Sequence, residues 1–134
     1  MRSVLLDTNA YSAYMVGDEA ISRAMGEAGE VLASVFVLGE IHAGFRGGTR
    51  MRRNQELLRE FLAKPKVQIL DATEETAEIY GQLKASLAKA GTPIPVHDVW
   101  IAAHALQTGS VLITYDAHFL QVPGLRIWME LAPG

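Results

Sequence analysis

Four short apolar runs, separated by helical stretches, constrain the fold of this 134-residue chain more than any other feature. The runs cover residues 3–6, 31–33, 67–70 and 111–114. Strands that alternate with helices are typical of a parallel sheet with helices on both faces. We therefore predict a single α/β domain over residues 1–134, a three-layer sandwich with a parallel sheet of four to five strands. Residues 125–129 would form the fifth strand, and the first strand, apolar throughout, would be central.

Composition excludes several classes of protein. The chain has no cysteine, which excludes disulfides, zinc–thiolate sites and a thiol nucleophile, and fits a reducing compartment. No apolar run reaches membrane-spanning length, and the first run meets Asp7 too early for a signal peptide. The formal net charge of −3 attracts no nucleic acid globally, so such binding needs a local basic patch. We expect a cytoplasmic protein without membrane association.

Residues 93–105 join an extended segment to a closely packing helix. Each of the two prolines disfavours helical geometry in the residue before it, and the apolar helix that follows has Asp98 in its first turn. At the helical period, Asp98 shares a face with small apolar residues. Taken alone, Asp98 is most simply a helix cap, worth roughly 0.5–2 kcal/mol. Three further acids at corresponding places favour a functional role.

These acids are predicted to meet at one edge of the sheet. Asp7 follows the first strand, and Asp116 lies just beyond the fourth. Glu40 lies on the helix after the second strand, and Asp98 opens the helix before the fourth. Ligands of open α/β sheets bind beyond the carboxyl ends of the strands. Local alternatives are an N-cap for Asp7, a turn for Asp116, and a salt bridge to arginine for Glu40.

Glu40 is the most informative of the four acids. Residues 35–43 are apolar on nearly every side, so their helix is predicted to be buried, where an unpaired carboxylate is costly. Crowded carboxylates cannot all stay ionised without a cation. Because the chain offers no thiolate, oxygen ligands favour Mg²⁺ or Mn²⁺.

Four short motifs together carry a family resemblance. They are Val-Leu-Leu-Asp7-Thr8-Asn9, the strand–helix step to Glu40, His-Asp98-Val-Trp-Ile-Ala-Ala, and Leu-Ile-Thr114-Tyr-Asp116-Ala-His-Phe. In this order and at this chain length, the chain resembles the PIN-domain ribonucleases, and most closely the VapC-type toxins of toxin–antitoxin pairs. The resemblance extends over essentially the whole chain.

The resemblance implies an endoribonuclease, dependent on Mg²⁺ or Mn²⁺, in which a metal-activated water hydrolyses RNA phosphodiesters. Asp7 and Asp98 would hold the principal ion, and one or two ions are consistent with the motifs. Asp116 and Glu40 would complete or orient the site. Thr114 matches a position at which the family often places a hydroxyl or amide near the metal.

The resemblance also implies partners, namely a cognate antitoxin and a second copy of the chain. Apolar residues near Met15 and on the helix at 76–87 exceed what one core needs and would supply a dimer interface; on that helix they are Ala77, Ile79, Tyr80, Leu83 and Leu87. His97 stands where many members carry asparagine, and Tyr115 where arginine or asparagine is common. These two departures leave the shape of the substrate channel open.

The only dense basic cluster comprises Arg46, Arg50, Arg52 and Arg53. It is either a solvated helix start or a contact for RNA phosphate and an acidic antitoxin. Cations in a first helical turn oppose the helix dipole, which favours the contact, with Arg46, Arg50 and Arg53 as the residues involved.

The histidines and Trp100 have simpler interpretations. His42, His97, His104 and His118 lack zinc-ligand spacing. His97 and His104 are expected to be surface or satisfied residues, and His118 to support Asp116. Trp100, on an apolar helix, is expected in the core rather than stacked on RNA.

Two alternatives stay open from the sequence. In a phosphoacceptor receiver domain, Asp71 would follow the third strand as acceptor, but such a domain needs an acid pair after the first strand and a lysine after the last. A catalytically inactive binding protein of the same fold would keep the four acids and cleave nothing.

Overall fold

Each of the four apolar runs forms a strand in the computed structural model, which describes residues 2–128. Six helices and a short 3₁₀ helix flank the sheet. In chain order the elements are β1 (Ser3–Leu6), α1 (Thr8–Met15), α2 (Glu19–Glu27), β2 (Glu30–Ser34), α3 (Val35–Arg46), α4 (Met51–Leu62), β3 (Val67–Leu70), α5 (Glu74–Ala90), α6 (Val96–Thr108), β4 (Val111–Ile113) and the 3₁₀ helix (Ala117–Gln121). Among residues 2–128, none of the helices combines the length and apolarity that crossing a bilayer requires.

The sheet is parallel throughout, with the strand order β3-β2-β1-β4, so the predicted inner position of β1 is confirmed. Pairing of β1 with β4 sets Leu6 opposite Ile113. Of the predicted strand at 125–129, only Ile127 pairs in the described part of the chain, through a single parallel bridge with Leu112. Met129 lies outside the described residues.

The order of the strands reverses between β1 and β4. The chain proceeds outward from β1 through β2 to β3, and α5 and α6 then return it to the other side of β1. Because such crossovers are right-handed, the helices before and after β3 cover opposite faces of the sheet. The carboxyl ends of β1 and β4 therefore border the crevice in which open α/β sheets bind ligands.

Packing between helices involves Trp100 of α6 and two leucines of α5, for which the sequence analysis predicted roles. The Trp100 ring stacks on Tyr80 of α5, with centroids 3.8 Å apart, and on Phe36 of α3 at 4.9 Å. It packs between helices but is only half-buried, so the predicted core position is met in part. Leu83 and Leu87 of α5 are buried within this domain. The prediction that these two leucines exceed the needs of one core is therefore wrong, because α5 packs along α6 and covers them.

His104 is a fully buried polar residue that connects α6 to the ends of two strands. Its Nε2 lies 3.2 Å from the carbonyl oxygen of Asp71, after β3, and its Nδ1 lies 2.8 Å from the Ser34 hydroxyl, at the end of β2. A carbonyl only accepts, so Nε2 carries the proton and Nδ1 accepts from Ser34. Burial lowers the pKa of His104, with the contact to Asp71 opposing that effect.

The buried neutral state of His104 predicts a pH-dependent stability. Because the pKa of His104 is lower in the folded protein, the unfolded chain binds the proton first as the pH falls. The stabilisation that neutral His104 gives the folded state is therefore complete above about pH 6.5 and declines below it. The free energy of unfolding can be measured with urea at pH 7.5, 6.5 and 5.5. His104→Gln should lack the part of its pH dependence that His104 causes, which is at most about 1.4 kcal/mol per pH unit. His42→Gln, at an exposed position of α3, should keep the wild-type slope. Equal slopes for His104→Gln and wild type would contradict the prediction.

Candidate active site

The end of β1 places Asp7 in the interior, with a relative exposure of 4%. Its Oδ1 accepts a hydrogen bond from the Ala10 N–H at 2.8 Å and so caps α1. Its Oδ2 accepts from the Thr114 hydroxyl at 2.5 Å. Because Leu6 pairs with Ile113, Asp7 and Thr114 are the next residues along β1 and β4. The capping interpretation is thus correct for one oxygen, and the other faces the loop after β4.

Asp98 and Asp116 approach each other from separate elements. Asp98 lies in the first turn of α6 and forms no cap there, so the capping interpretation is wrong for it. Instead its Oδ2 lies 3.3 Å from Nδ1 of His118, and Oδ1 of Asp116 lies 3.2 Å from the same nitrogen. One ligand atom from each of the three residues lies within 4.8 Å of the others. The predicted supporting position of His118 is confirmed by these contacts.

Thr114 connects Asp7 to this group. Its hydroxyl donates to Asp7 and accepts from the backbone N–H of Asp116 at 2.9 Å. Asp116 in turn begins the 3₁₀ helix, where its Oδ1 accepts from the His118 N–H at 2.9 Å. The turn interpretation of Asp116 therefore also holds, and the turn directs its carboxylate toward Asp98.

The electrostatics of the group favour a bound cation. Burial raises the pKa of Asp7 against the lowering effect of its hydrogen bonds, and the charges of Asp116 and Asp98 raise it further. Burial also raises the pKa of Asp98, where the hydrogen bond from His118 opposes it and the charge of Asp116 adds to it. Within residues 2–128, no lysine or arginine pairs with any of these three acids.

This set of donors fits a hard divalent ion. The carboxylates of Asp98 and Asp116 offer the oxygen ligands that Mg²⁺ and Mn²⁺ prefer, and an imidazole nitrogen of His118 lies beside them. Asp7 is not part of this close set. Burial is the main cause of the raised pKa values, with a smaller contribution from the neighbouring acids, and an ion between Asp98 and Asp116 would favour the ionised form of both carboxylates. Asp7 borders that position through Thr114 and Asp116.

Glu40 departs from the prediction in its environment. The helix α3 is buried only at Val37 and Ile41, and the Glu40 side chain is 45% exposed, so the prediction of a buried helix is wrong. The apolar residues of α3 extend around the helix, but within the described part of the chain one side of it stays exposed. The partner of Glu40 is also not arginine: its Oε1 accepts from the Thr8 hydroxyl at 2.6 Å and lies 2.8 Å from Nε2 of His97.

These contacts place Glu40 beside the acid group rather than inside it. Thr8 follows Asp7 and His97 precedes Asp98, so both contacts are one residue away from a group member. The approach of His97 is close but poorly aligned, and its Nε2 has no hydrogen bond in the described part of the chain. Among those residues, Glu40 is not part of the close set formed by Asp98, Asp116 and His118.

The basic cluster is exposed where α3 ends and α4 begins. Arg46 lies in the last turn of α3, and Arg50 precedes α4 without a side-chain cap. Arg53 lies 3.8 Å from Glu56, one turn along α4, a weak surface pair. Within residues 2–128, Arg46 and Arg50 form no ion pair. Their role as contacts stays a prediction.

Asp71 lies apart from the acid group, at the end of the edge strand β3. Its side chain is exposed, and its backbone carbonyl accepts the hydrogen bond from Nε2 of His104. The crevice lies at β1 and β4, so the geometry does not favour Asp71 as a phosphoacceptor.

The comparisons of this chain with a family profile and with known proteins agree on one family. The PIN domain profile matches residues 4–125. Ribonuclease VapC2 of Haemophilus influenzae is 32% identical over 130 residues, 94% of this chain and 96% of that protein. The tRNA(fMet)-specific endonuclease VapC of Salmonella typhimurium is 33% identical over 95 residues, 70% of each chain.

Solved structures agree in fold. VapBC from Salmonella typhimurium, determined bound to DNA, has a chain with a TM-score of 0.84 and 29% identity, covering 96% of this chain and 98% of that chain. VapBC2 of Rickettsia felis, bound to a promoter fragment, has a TM-score of 0.83 at 24% identity, with coverages of 94% and 97%. The acid group at the β1–β4 crevice and these matches together assign the chain to the PIN-domain family, in its VapC group.

Proposed function

We propose that this protein is a metal-dependent endoribonuclease and the toxin of a toxin–antitoxin pair. The observation that carries the proposal is the group of Asp7, Asp98 and Asp116 in the crevice, which lacks a lysine or arginine partner within residues 2–128. The relatives named as VapC ribonucleases support RNA as the substrate. The preferred ion is Mg²⁺, with Mn²⁺ as the alternative, because the donors are mainly carboxylate oxygens.

Asp98 and Asp116 would hold the ion directly, with Asp7 as the third carboxylate. Such an ion, when bound, supplies Lewis-acid charge that activates water and stabilises the oxygens of the scissile phosphate. The Thr114 hydroxyl donates to Oδ2 of Asp7, which fixes the direction of that carboxylate and lowers its pKa against the larger effect of burial. Nδ1 of His118 can donate a hydrogen bond to Asp98 and lies within ion-pair distance of Asp116, which helps to keep the two carboxylates together.

Glu40 acts beside this group in the proposal. Its Oε1 is occupied by Thr8 and His97, and the exposed carboxylate borders the crevice. We assign it to orienting water or substrate near the ion. His97, where many family members carry asparagine, then helps to hold Glu40 in place.

The partner of the resting protein would be an antitoxin. Structures similar to this chain were determined as VapBC complexes, and the VapC of Salmonella typhimurium was solved with its partner on DNA. An acidic antitoxin segment and an RNA phosphate both suit arginine, whose planar fork binds either group in a bidentate manner.

The acid group gives a direct prediction for RNA cleavage. Asp98→Asn should lower Mg²⁺-dependent cleavage by about 100-fold or more, since loss of even an outer partner of a metal site costs about 10–100-fold. EDTA should abolish cleavage by the wild type. The melting temperature of Asp98→Asn without metal should be unchanged or higher, because the substitution relieves repulsion with Asp116.

Asp71→Asn is the matched control, with the same change of charge at the sheet edge away from the group. It should cleave like the wild type. Retained cleavage by Asp98→Asn, or a large loss of its stability, would make Asp98 a structural residue. Absence of cleavage by the wild type with any divalent ion would favour an inactive binding protein.

The basic cluster gives a second prediction. The double variant Arg46→Ala/Arg50→Ala should weaken both RNA and antitoxin binding and reduce the salt slope of log K for RNA by about one to two. Arg59→Ala, in the last turn of α4, should leave the RNA affinity, the antitoxin affinity and the salt slope unchanged. If the double variant matches the wild type in both affinities and in the slope, the cluster is a solvated helix start.

We also propose a homodimer. Val16 at the end of α1 is 88% exposed and lies next to partly buried Met15, which supports the predicted interface near Met15. Sedimentation at micromolar concentration should give twice the chain mass, and Val16→Glu should shift the equilibrium toward the monomer. A monomeric wild type would contradict the proposal.

A further inference from the structure

The last described residues, at the edge of β4, bond to the strand that leads to the acid group. The Leu112 N–H donates to the Arg126 carbonyl at 2.8 Å, and the Trp128 N–H donates to the Leu112 carbonyl at 3.1 Å. This pairing brings Trp128 alongside the end of β4, where its side chain is buried. The Trp128 indole N–H then donates to the carbonyl of Thr114 at 2.5 Å.

Thr114 is the residue whose hydroxyl bonds to Asp7 and accepts from the Asp116 N–H. Its carbonyl belongs to the peptide that leads into Tyr115 and on to Asp116. Thr114 is fully buried, so this carbonyl needs a partner, and the indole provides one. A fixed carbonyl fixes the orientation of that peptide plane, and with it the path of the chain to Asp116.

A second contact restrains the same loop. The Tyr115 hydroxyl donates to Oδ2 of Asp18 at 2.7 Å, and Oδ1 of Asp18 caps α2 by accepting from the Ile21 N–H at 2.9 Å. The Tyr115 ring also packs edge-on against Trp128, with centroids 5.2 Å apart. The loop from Thr114 to Asp116 is thus anchored to α2 on one side and to Trp128 on the other.

We propose that Trp128 is a positioning residue of the metal site: its indole N–H holds the Thr114 carbonyl, and so fixes both the approach of Asp116 to Asp98 and the hydrogen bond from Thr114 to Asp7. This inference rests on the proposed function, which supplies the metal. Repulsion among the carboxylates tends to open the site when it is empty. Without the indole N–H, the loop from Thr114 to Asp116 would depend on the Tyr115–Asp18 contact and its own local hydrogen bonds against this repulsion. Trp128 acts through Thr114 and need not touch the ion or the RNA.

The test is Trp128→Phe, which keeps an aromatic ring and removes the N–H donor. The affinity for Mn²⁺ alone, measured by calorimetry, should fall by about 10-fold or more, as for other residues that support metal ligands. With saturating metal, kcat for RNA should fall while KM stays near the wild-type value, because the substitution leaves the proposed RNA contacts at Arg46 and Arg50 unchanged.

Trp100→Phe is the matched control. It makes the same substitution in α6, at an indole that forms no hydrogen bond among residues 2–128 and packs on Tyr80 and Phe36. Its Mn²⁺ affinity should equal that of the wild type, even if both variants lose a similar amount of stability in EDTA. Tyr115→Phe, which removes only a hydroxyl, should weaken Mn²⁺ binding in the same direction as Trp128→Phe and keeps the test valid if Trp128→Phe fails to fold.

The outcomes separate this inference from the proposed function. Wild-type Mn²⁺ affinity in folded Trp128→Phe, or an equal loss in Trp100→Phe, would overturn the positioning role. If Trp128→Phe fails to fold, wild-type Mn²⁺ affinity in Tyr115→Phe would overturn it. If the wild type binds Mn²⁺ and Trp128→Phe binds it more weakly, the positioning role holds even if no RNA is cleaved, and only the ribonuclease proposal fails. If the wild type binds no Mn²⁺, both fail.

Discussion

Mutual repulsion among Asp7, Asp98 and Asp116 is the constraint on which the other features of this end of the molecule depend. Burial raises the pKa of both Asp7 and Asp98, and the negative charge of Asp116 raises both pKa values further. A fold that brings such groups together must restrain their carboxylates. The Thr114 hydroxyl and the Ala10 N–H hold Asp7, and the His118 ring contacts Asp116. The cost of assembling the acids is the reason that a divalent ion would bind there.

The sheet topology explains why these acids meet. Parallel strands deliver their last residues to one edge, and the reversal between β1 and β4 opens a crevice there. Asp7 follows β1, Thr114 follows β4, and the register of the two strands sets them side by side. The helix α6 leads into the amino end of β4, so its first turn, with Asp98, lies at the opposite, carboxyl edge.

The sequence predicted what depends on local patterns and missed what depends on neighbours. Strand runs followed by acids were sufficient to predict the parallel sheet, the inner position of β1 and the placement of the acids at its carboxyl edge. Of these acids, Asp98 and Asp116 approach each other directly, whereas Asp7 is linked to Asp116 through Thr114. The exposure of Glu40 was missed because apolar residues around α3 do not reveal which side lacks a neighbour. The contacts of His104 and Trp128 join residues far apart in the chain, and no spacing signals a bond between an indole and a distant carbonyl.

The most direct test of the central claim is to locate the ion itself. A crystal grown with Mn²⁺ should show one anomalous peak bonded to carboxylate oxygens of Asp98 and Asp116, at roughly 2.0–2.3 Å, with Asp7 beside it directly or through water. The Asp98→Asn protein under the same conditions should show a weaker peak or none. A strong peak elsewhere on the molecule, or an unchanged peak in Asp98→Asn, would contradict the assignment of this acid group as the metal site.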